Sequence, residues 1–411
     1  MTTPEPTQLL LLSKNANLAD GIKTTLADVE DFTLAEISGG AEGTNSFIVT
    51  LQPEILLLDS QFIEGDLFSE IDALSTRFPT IPVVALLPEG DVNLSNQVIL
   101  AGARAFLFYP LSSSDLLATL KRVKELLVRS GKTADQPAVV PTAGKKMFVV
   151  FSPKGGVGVT TTAINLAISL RQQIKDDILL VDGKHLLGHV SLMLNLRIGN
   201  SITDLLPHSG RLDPTLVKQV ITQHSSGIHV LPGPIAISKA QGIRPDDLYR
   251  VILGLQSVYS TIIVDGGNYL NENLVTYMDA ADHILLVINP NLPALRDARQ
   301  FLDISHTLSY SREKILVLLN QSGRKSDVKL AEIEQALRTK VFGVIPTDED
   351  AVLNSINEGV PLILKKSNHP ISKAYAKIAR VIADTLLPIG SKAPSGSASF
   401  VDILRKSSRL G

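Results

Sequence analysis

The chain has 411 residues, a length that favours two or three domains over one. Hydrophobic residues make up 44% of it and charged residues 19%, so a folded protein is expected and extended disorder is not. Cysteine is absent, which excludes disulfides and thiolate metal sites and fits a reducing compartment. The formal net charge is only −2, although acidic residues are concentrated before residue 130 and basic residues after it.

The amino-terminal residues lack the basic segment and apolar core of a signal peptide, and no apolar run is long enough to span a membrane. We therefore expect a cytoplasmic protein whose membrane contact, if any, is peripheral. The more basic second part of the chain suits an anionic surface, and it is equally compatible with ordinary solvated charges.

Four short apolar runs, separated by stretches of helix length, occupy the first 130 residues. Near-continuous apolar strands are typical of a parallel sheet that is covered by helices on both faces. The sequence therefore predicts a doubly wound α/β domain over residues 1–130. The apolar runs are residues 9–12, 55–58, 83–87 and 106–108.

This order of elements resembles the receiver domain of two-component response regulators, which has a flavodoxin-like fold. Asp59 stands where a receiver carries its phosphoacceptor, and Pro110 follows the last run as in that family. The acidic pair that holds Mg²⁺ in receivers is absent, because residues 13–15 are Ser-Lys-Asn, and Leu87 and Tyr109 replace two further receiver residues. Without carboxylates for a hard cation, phosphoryl transfer lacks charge neutralisation. We predict a degenerate receiver used for docking, with Asp59 as a doubtful phosphoacceptor.

Residues 131–146 have the small, polar and proline-containing composition of a linker. They separate the first domain from a second one, predicted over residues 147–388, and a Gly/Ser/Pro-rich flexible tail is predicted over 389–411. Seven strand candidates with helices between most of them indicate a second doubly wound parallel sheet, with ligands at the carboxyl ends of its strands. The candidates are residues 147–151, 178–181, 228–231, 261–264, 284–288, 315–319 and 341–345.

A glycine-rich loop follows the first of these strands and precedes a helix predicted over residues 161–170. The common P-loop spacing, G-x-x-x-x-G-K-[ST], closes backbone N–H groups around phosphates and brings a lysine to the terminal phosphate. Gly158 and Thr160 fit this pattern, whereas Val159 takes the lysine position and Pro153 that of the first glycine. The positive end of the following helix favours phosphate binding even without that lysine.

The loop resembles the deviant Walker A loop, K-G-G-x-G-K-[ST], of the MinD/ParA ATPases. The resemblance implies that the early lysine, here Lys154, reaches across a homodimer interface to the partner's nucleotide. It also implies that the loop binds ATP and that the Thr160 hydroxyl binds Mg²⁺. The predicted cofactor-binding residues of the loop are Lys154, Gly155, Gly156, Val157, Gly158, Val159, Thr160 and Thr161.

Two further apolar strands end in aspartates. Asp265 completes a strand of the Walker B form, whose Asp holds Mg²⁺ through water. After Asp182, residues 183–194 resemble the switch region D-x-D-x-x-x-G-D-V-x-L-M-L of the MinD-like ATPases, in which the second Asp positions the attacking water. Lys184 holds that place here, and His189 replaces the later Asp. We predict Thr160, Asp182 and Asp265 as metal ligands, and Lys154, Asp182 and Lys184 as catalytic residues.

The two replacements predict poor turnover. A carboxylate can orient and polarise water beside the terminal phosphate, whereas an ammonium binds the phosphate itself. Since removing one preorganised group typically costs about 10²–10³-fold in rate, we expect at most a weak ATPase. One hypothesis is that Lys184 partly replaces the cation missing at Val159. The alternative is a solvated Lys184 beside a site that binds nucleotide weakly or not at all.

Two residues further along the chain match base-binding positions of the resembled ATPases. Asn320 closes a predicted strand, and its amide offers the paired donor and acceptor that adenine recognition needs. Pro346 lies in a Gly-Val-Ile-Pro-Thr-Asp stretch that resembles the family's G-x-I-P-x-D loop. We predict that both residues bind the cofactor.

A degenerate receiver that precedes a MinD-like domain resembles the CpaE/TadZ proteins of tight-adherence pilus assembly. Residues 187–194 and 292–298 are closer to that branch than to ParA. The resemblance implies a homodimer formed over ATP that places a pilus or secretion machine at a cell pole or at the inner membrane.

Three alternatives remain open at this stage. A ParA-like DNA binder needs clustered basic residues, and residues 324–325 and 365–366 are only scattered pairs, so nucleic acid is not expected. A MinD-like membrane ATPase needs a carboxyl-terminal amphipathic helix, for which residues 400–409 are a short candidate toward anionic lipid. The third alternative is a scaffold that works without nucleotide.

Overall fold

The structure is a computed structural model, and it describes residues 6–27, 29–37, 44–63, 65–88, 94, 97–99, 101–131, 145–235, 240, 243–308, 310–323 and 328–387. The chain divides into two compact units. The first contains Met1–Val139 with Leu270–Val275 and Gln300–Arg312, and the second contains the remaining segments. Most of the predicted linker 131–146 and the whole predicted tail 389–411 lie outside the described residues.

The first unit is built on a parallel sheet of five strands in the order β2-β1-β3-β4-β5. This order is that of flavodoxin-like folds, so the predicted fold class is confirmed. The four apolar runs all form strands. The strands are β1 Thr7–Leu12, β2 Phe32–Ile37, β3 Ile55–Asp59, β4 Val83–Pro88 and β5 Ala105–Tyr109.

Both faces of this sheet are covered, which explains why its central strands are continuously apolar. Alternate side chains of β1 enter two separate cores: Leu9 and Leu11 belong to one, Leu10 and Leu12 to the other. Strand β2 escaped prediction because its sequence, Phe-Thr-Leu-Ala-Glu-Ile, mixes polar and apolar residues, as an edge strand does. The helices described in this unit include Ala16–Leu26, Thr44–Leu51, Leu67–Arg77 and Ser113–Gly131.

The second unit contains an eight-stranded sheet in the order β13-β12-β11-β6-β10-β7-β9-β8. Seven strands run parallel, and the two-residue strand β8 pairs antiparallel with β9 at one edge. All seven strand candidates are confirmed, and β8 was too short for a pattern to predict. The strands are β6 Lys146–Phe151, β7 Ile178–Asp182, β8 Thr222–Gln223, β9 His229–Leu231, β10 Thr261–Asp265, β11 His283–Ile288, β12 Ile315–Ser322 and β13 Val341–Pro346.

The middle of this sheet positions the candidate site. Strands β6, β10 and β7 are neighbours, so the loops that leave their carboxyl ends meet at one edge of the sheet. The register places Asp265 beside Val150 of β6 on one side and beside Asp182 of β7 on the other. The α-helices that lie wholly in this unit include Val159–Gln173, Val190–Met193, Pro214–Val220, Pro245–Val258, Leu330–Leu337, Glu349–Glu358, Leu362–Lys365 and Pro370–Thr385, whereas Glu272–Ala280 and Leu292–Thr307 each have residues in both units.

The helix Val159–Gln173 follows the glycine-rich loop and begins two residues earlier than predicted. It is buried along most of its length because helix Pro370–Thr385 lies against it. Thr162 and Tyr375 share a hydrogen bond of 3.2 Å between their hydroxyl groups across this contact. The start of the helix is thereby held in place at the end of the loop.

Candidate nucleotide site

The glycine-rich loop has the backbone that a phosphate-binding loop requires. Gly156 and Gly158 have φ values of +78° and +94°, which only glycine adopts without strain. Gly158 is the N-cap of helix Val159–Gln173, and no side chain caps its first amides. Such amides, together with the helix dipole, attract anions. Gly155 and Gly156 are exposed, so the loop is open to solvent.

The residue at the usual lysine position does not face the loop opening. Val159 is only 7% exposed and, with Val157, belongs to the hydrophobic core of the second unit. A side chain at position 159 therefore contributes to packing, and any cation that meets the phosphates has to come from elsewhere.

Thr160 and Asp265, which were both predicted as metal ligands, are brought together. The Thr160 hydroxyl donates a hydrogen bond of 2.7 Å to Oδ2 of Asp265, and the Gly267 N–H donates one of 3.2 Å to Oδ1. Asp265 is completely buried. Burial raises the pKa of its carboxyl group, while the nearby Lys184 charge opposes that rise. Sequence reasoning did not single out Gly267, whose φ of +67° forms this turn.

Asp182 lies beside Asp265, but its oxygens are occupied differently. Its Oδ1 accepts the backbone N–H of Lys184 at 3.3 Å, and its Oδ2 accepts that of Val190 at 3.2 Å. Burial raises the pKa of Asp182 to about 7, and the Asp265 charge adds to the rise. A Cβ on Gly188 would lie only 2.3 Å from Oδ2, so the loop after β7 is wrapped closely around this carboxyl group. Asp182 thus fixes both ends of the segment 184–190.

Lys184 points into the same cluster. Its Nζ donates a hydrogen bond of 3.1 Å to Oγ1 of Thr160. The stem of the side chain crosses Gly267, where an added Cβ would lie 2.7 Å from Cε of Lys184. The Lys184 side chain is half-buried in the site, in contrast to the solvated Lys184 of the alternative, whereas the weak or absent nucleotide binding of that alternative stays a prediction.

The residues of this site suit the phosphates of ATP better than they suit Mg²⁺. The open loop amides and the positive helix end suit a chain of phosphates. The Thr160 hydroxyl and the Asp265 carboxylate suit a hard cation, but the hydroxyl already accepts a hydrogen bond from an ammonium. No cluster of three or more His, Cys, Asp or Glu side chains that suits a metal occurs among the residues described. As it lies, the Lys184 ammonium therefore competes with Mg²⁺ for the Thr160 hydroxyl.

Lys154 is half-buried near the start of the loop, where its backbone N–H donates a hydrogen bond of 3.2 Å to Oγ of Ser152. Within the described part of the chain, its ammonium forms no hydrogen bond or ion pair. Its predicted role across a dimer interface stays a prediction.

Asn320 and Pro346, the two predicted base-binding residues, line one cavity of about 220 Å³ together with Gly156, Gly158 and Thr161. Nδ2 of Asn320 donates a hydrogen bond of 2.7 Å to the Val157 carbonyl. Asn320 therefore also holds the loop in shape, a contact that the sequence pattern did not predict. The cavity opens beside the loop glycines, where a base attached to bound phosphates would lie.

Two further polar residues border the cluster without having been predicted as site residues. Nε2 of His185 lies 3.5 Å from the hydroxyl group of Tyr277, which is completely buried. Burial lowers the pKa of His185 to about 4, so this imidazole is neutral at physiological pH. Burial also raises the pKa of Tyr277 well above its usual value. The pair therefore adds no charge to the site.

In the first unit, Asp59 is completely buried at the end of β3. Its Oδ2 accepts the Ser13 hydroxyl at 2.6 Å, and its Oδ1 accepts the Gln61 N–H at 3.0 Å. Burial raises the pKa of the neighbouring Tyr109 hydroxyl. The contacts of Asp59 are those of a strand-end cap, and its role as phosphoacceptor stays a prediction.

Every helix in the described residues is too short or too polar to cross a bilayer. This finding leaves the predicted peripheral membrane contact untested, since the candidate segment 400–409 lies outside those residues.

Comparison with known proteins finds a family match in the second part of the chain. Residues 145–317 match a family described as "AAA domain". The septum site-determining protein MinD of Thermotoga maritima is 27% identical over 268 residues, which cover 63% of this chain and 96% of that protein. The crystal structure of a ParA family ATPase from Chlorobium tepidum has a TM-score of 0.54 and 28% identity, over 58% of this chain and 98% of that one.

A third match concerns the fold alone. The septum site-determining protein MinD from Pyrococcus horikoshii, whose structure was determined with Mg-ADP, has a TM-score of 0.53 and 24% identity. The match covers 61% of this chain and 100% of that one. Together these comparisons support a nucleotide-binding ATPase fold of the MinD/ParA type for the second part of the chain.

Proposed function

We propose that this chain binds ATP, dimerises over the bound nucleotide and positions a larger assembly, with little or no hydrolysis. In its most specific form the proposal is that the assembly is a tight-adherence pilus or a related secretion machine. The observation that carries the proposal is the open glycine loop beside the Thr160–Asp265 hydrogen bond and the Asn320 cavity.

Nucleotide binding is supported by the complementarity of three neighbouring features. The loop offers backbone N–H groups, the helix Val159–Gln173 offers its positive end, and a cavity opens beside Gly156 and Gly158. Phosphates and a base that are joined as in ATP need these features side by side. Mg²⁺ was predicted as a second cofactor. Whether it binds the Thr160 hydroxyl depends on the position of the Lys184 ammonium, which donates a hydrogen bond to that hydroxyl.

Weak or absent hydrolysis is supported by the positions of two side chains. Asp182 accepts a backbone N–H group on each oxygen, so part of its capacity to bind water is already taken. Lys184 stands where the resembled ATPases carry the water-positioning carboxylate, and an ammonium cannot act as a general base. We therefore expect a switch that is set by nucleotide binding and reset by exchange.

Dimerisation is supported by exposed apolar side chains at the carboxyl end of the sheet. Leu187 is 73% exposed after β7, Tyr269 is 59% exposed after β10, and Leu292 is 74% exposed after β11. Large exposed apolar residues mark interaction surfaces when they occur near one another. Leu187 and Tyr269 lie on loops, Leu292 is the first residue of helix Leu292–Thr307, and all three follow strands of the sheet that holds the glycine loop and Lys154.

A positioning role is supported by the similarity to septum site-determining proteins. The pilus itself rests on the resemblance of the receiver-plus-ATPase arrangement to CpaE/TadZ proteins. A polar or inner-membrane location and the pilus partners are parts of this proposal. DNA binding is not favoured, because the basic pairs at residues 324–325 and 365–366 lie far apart in the sequence.

The test is ATP titration by calorimetry, combined with mass measurement by light scattering before and after ATP. We expect one ATP per chain and a doubling of mass. Lys154→Ala is expected to bind ATP and to remain monomeric. Lys175→Ala, which removes an exposed lysine of the same unit, is the matched control and should dimerise normally.

Two outcomes contradict the proposal in different ways. No heat and no change in mass for the unmodified chain would favour the nucleotide-independent scaffold. Retention on duplex DNA at physiological salt would favour the partition-type alternative.

A further inference from the structure

The hydroxyl group of Thr160 has two partners that define its state. It donates its proton to Asp265 at 2.7 Å and accepts an N–H of Lys184 at 3.1 Å. In Mg²⁺-dependent P-loop proteins the hydroxyl at this position ligates the metal. Mg²⁺ requires its oxygen ligands at about 2.0–2.1 Å in near-octahedral geometry. The ammonium therefore takes one of the two acceptor positions of the oxygen that would ligate a metal ion.

The residues around Lys184 direct its side chain toward the Thr160 hydroxyl. Its backbone N–H is fixed on Asp182, and its carbonyl oxygen would lie 2.8 Å from a Cβ on Gly233. Its stem passes over Gly267 at a distance that any Cβ at position 267 would block. Gly233, Gly267 and the buried Asp182 carboxylate thus constrain the backbone and the side chain of Lys184, so that its ammonium reaches Thr160.

The charges of the cluster favour a resident cation. Asp182 and Asp265 end adjacent strands and are both buried, so their negative charges are poorly solvated. The Lys184 charge favours the ionised form of each carboxyl group. A divalent ion added next to the ammonium would repel it, so the two cations compete for this position.

We propose that the Lys184 ammonium takes the place of the divalent cation, so that this chain binds a nucleoside triphosphate without Mg²⁺. An ammonium has three N–H groups. One is directed at Thr160, and two remain for phosphate oxygens. The inference rests on the proposed nucleotide binding and concerns how that site neutralises phosphate charge.

The test compares ATP affinity in excess EDTA with affinity in excess Mg²⁺, by displacement of a fluorescent ATP analogue. For the unmodified chain we expect the dissociation constant to differ by less than about threefold between the two conditions. Direct titration with Mn²⁺ in the presence of ATP, followed by electron paramagnetic resonance, should show no protein-dependent metal binding beyond that of ATP alone.

Three variants separate the possible reasons for such a result. Lys184→Asp should regain metal dependence, with ATP bound at least about tenfold more tightly in Mg²⁺ than in EDTA. Lys184→Met has a similar length and no charge, and should lose at least about tenfold in affinity in EDTA. Lys175→Ala should match the unmodified chain in both conditions. Thermal unfolding of each variant verifies that it is folded.

The failures are distinguishable. Tight binding that requires Mg²⁺ overturns this inference and leaves the proposed nucleotide binding intact. Absence of binding in both conditions overturns the proposed function itself. Unchanged affinity of Lys184→Met in EDTA overturns the inference as well, because another group would then neutralise the phosphates.

Discussion

Asp59 in the first unit and Asp265 in the second have nearly the same local surroundings. Each ends a buried parallel strand, accepts a side-chain hydroxyl at 2.6 or 2.7 Å, and accepts the backbone N–H of the residue two positions later. The difference lies in the hydroxyl's neighbourhood. Ser13 also accepts a backbone N–H from Asn15, whereas Thr160 belongs to an open glycine loop and accepts an N–H from an ammonium.

The comparison teaches that a buried aspartate at a strand end does not identify a functional site. The shared arrangement of hydroxyl, carboxylate and amide closes the end of a strand in both units. In the second unit, uncapped amides and the Lys184 ammonium lie next to this arrangement. The function therefore depends on the neighbours of the carboxylate.

The largest effect is expected from breaking the glycine loop. Gly158→Ala introduces strain of about 1–3 kcal/mol at a left-handed position, and its Cβ would lie 2.5 Å from Nδ2 of Asn320. We expect loss of ATP binding in calorimetry and a lower melting temperature. Gly199→Ala is the control, because a Cβ there meets nothing within 4 Å. Equal ATP affinity of the two variants would contradict the role given to the loop.

A paired substitution sharpens the comparison of the two hydroxyls. Ser13→Ala and Thr160→Ala each leave a buried carboxylate without its hydroxyl donor, which costs about 1–3 kcal/mol. Hydrogen exchange should show the loss around β3 in the first variant and around β10 in the second. Only Thr160→Ala should weaken ATP binding, and Thr160→Ser should restore it. Weakened ATP binding in Ser13→Ala would mean that the two sites are not independent.

A smaller effect is expected at Asn320. Asn320→Ala removes the hydrogen bond to the Val157 carbonyl and a wall of the cavity. The loss of one buried hydrogen bond corresponds to roughly tenfold weaker ATP binding. Titration with ATP and with inorganic triphosphate separates loop support from base recognition. Equal losses for both ligands would indicate loop support alone, and a loss confined to ATP would indicate base recognition.

No effect is expected from phosphoryl donors on Asp59. The buried carboxylate is engaged by Ser13 and Gln61, and the sequence lacks the acidic pair that would hold Mg²⁺. Incubation with acetyl phosphate and Mg²⁺ should leave the intact mass of the chain unchanged. A phosphate adduct that disappears in Asp59→Asn would show that the first unit is a working receiver.

Local patterns in the sequence were sufficient to predict both sheets and the loop. Apolar runs identify buried parallel strands, and glycines at fixed spacing identify the turn between β6 and its helix. The edge strands β2 and β8 were missed, one because its pattern is mixed and the other because it has two residues. Neither strand has the continuous apolar run that marks the central strands.

The contacts within the site could not be predicted in the same way. The bonds of Lys184 with Thr160 and of Asn320 with Val157 join residues that are far apart in the chain, so no spacing encodes them. The burial of Val159 likewise depends on how helix Val159–Gln173 packs in the core. A resemblance could suggest roles for these positions, but only the fold shows which atoms meet.

The two hydrogen bonds of Asp182 have a mechanical consequence. One carboxylate binds the backbone N–H groups of both residue 184 and residue 190. The segment between them is therefore restrained at both ends by the same side chain. Leu187 lies in the middle of this segment, and its side chain is largely exposed to solvent. We therefore expect a movement of Lys184 toward bound phosphate to shift the exposed Leu187 as well, because both residues belong to this segment.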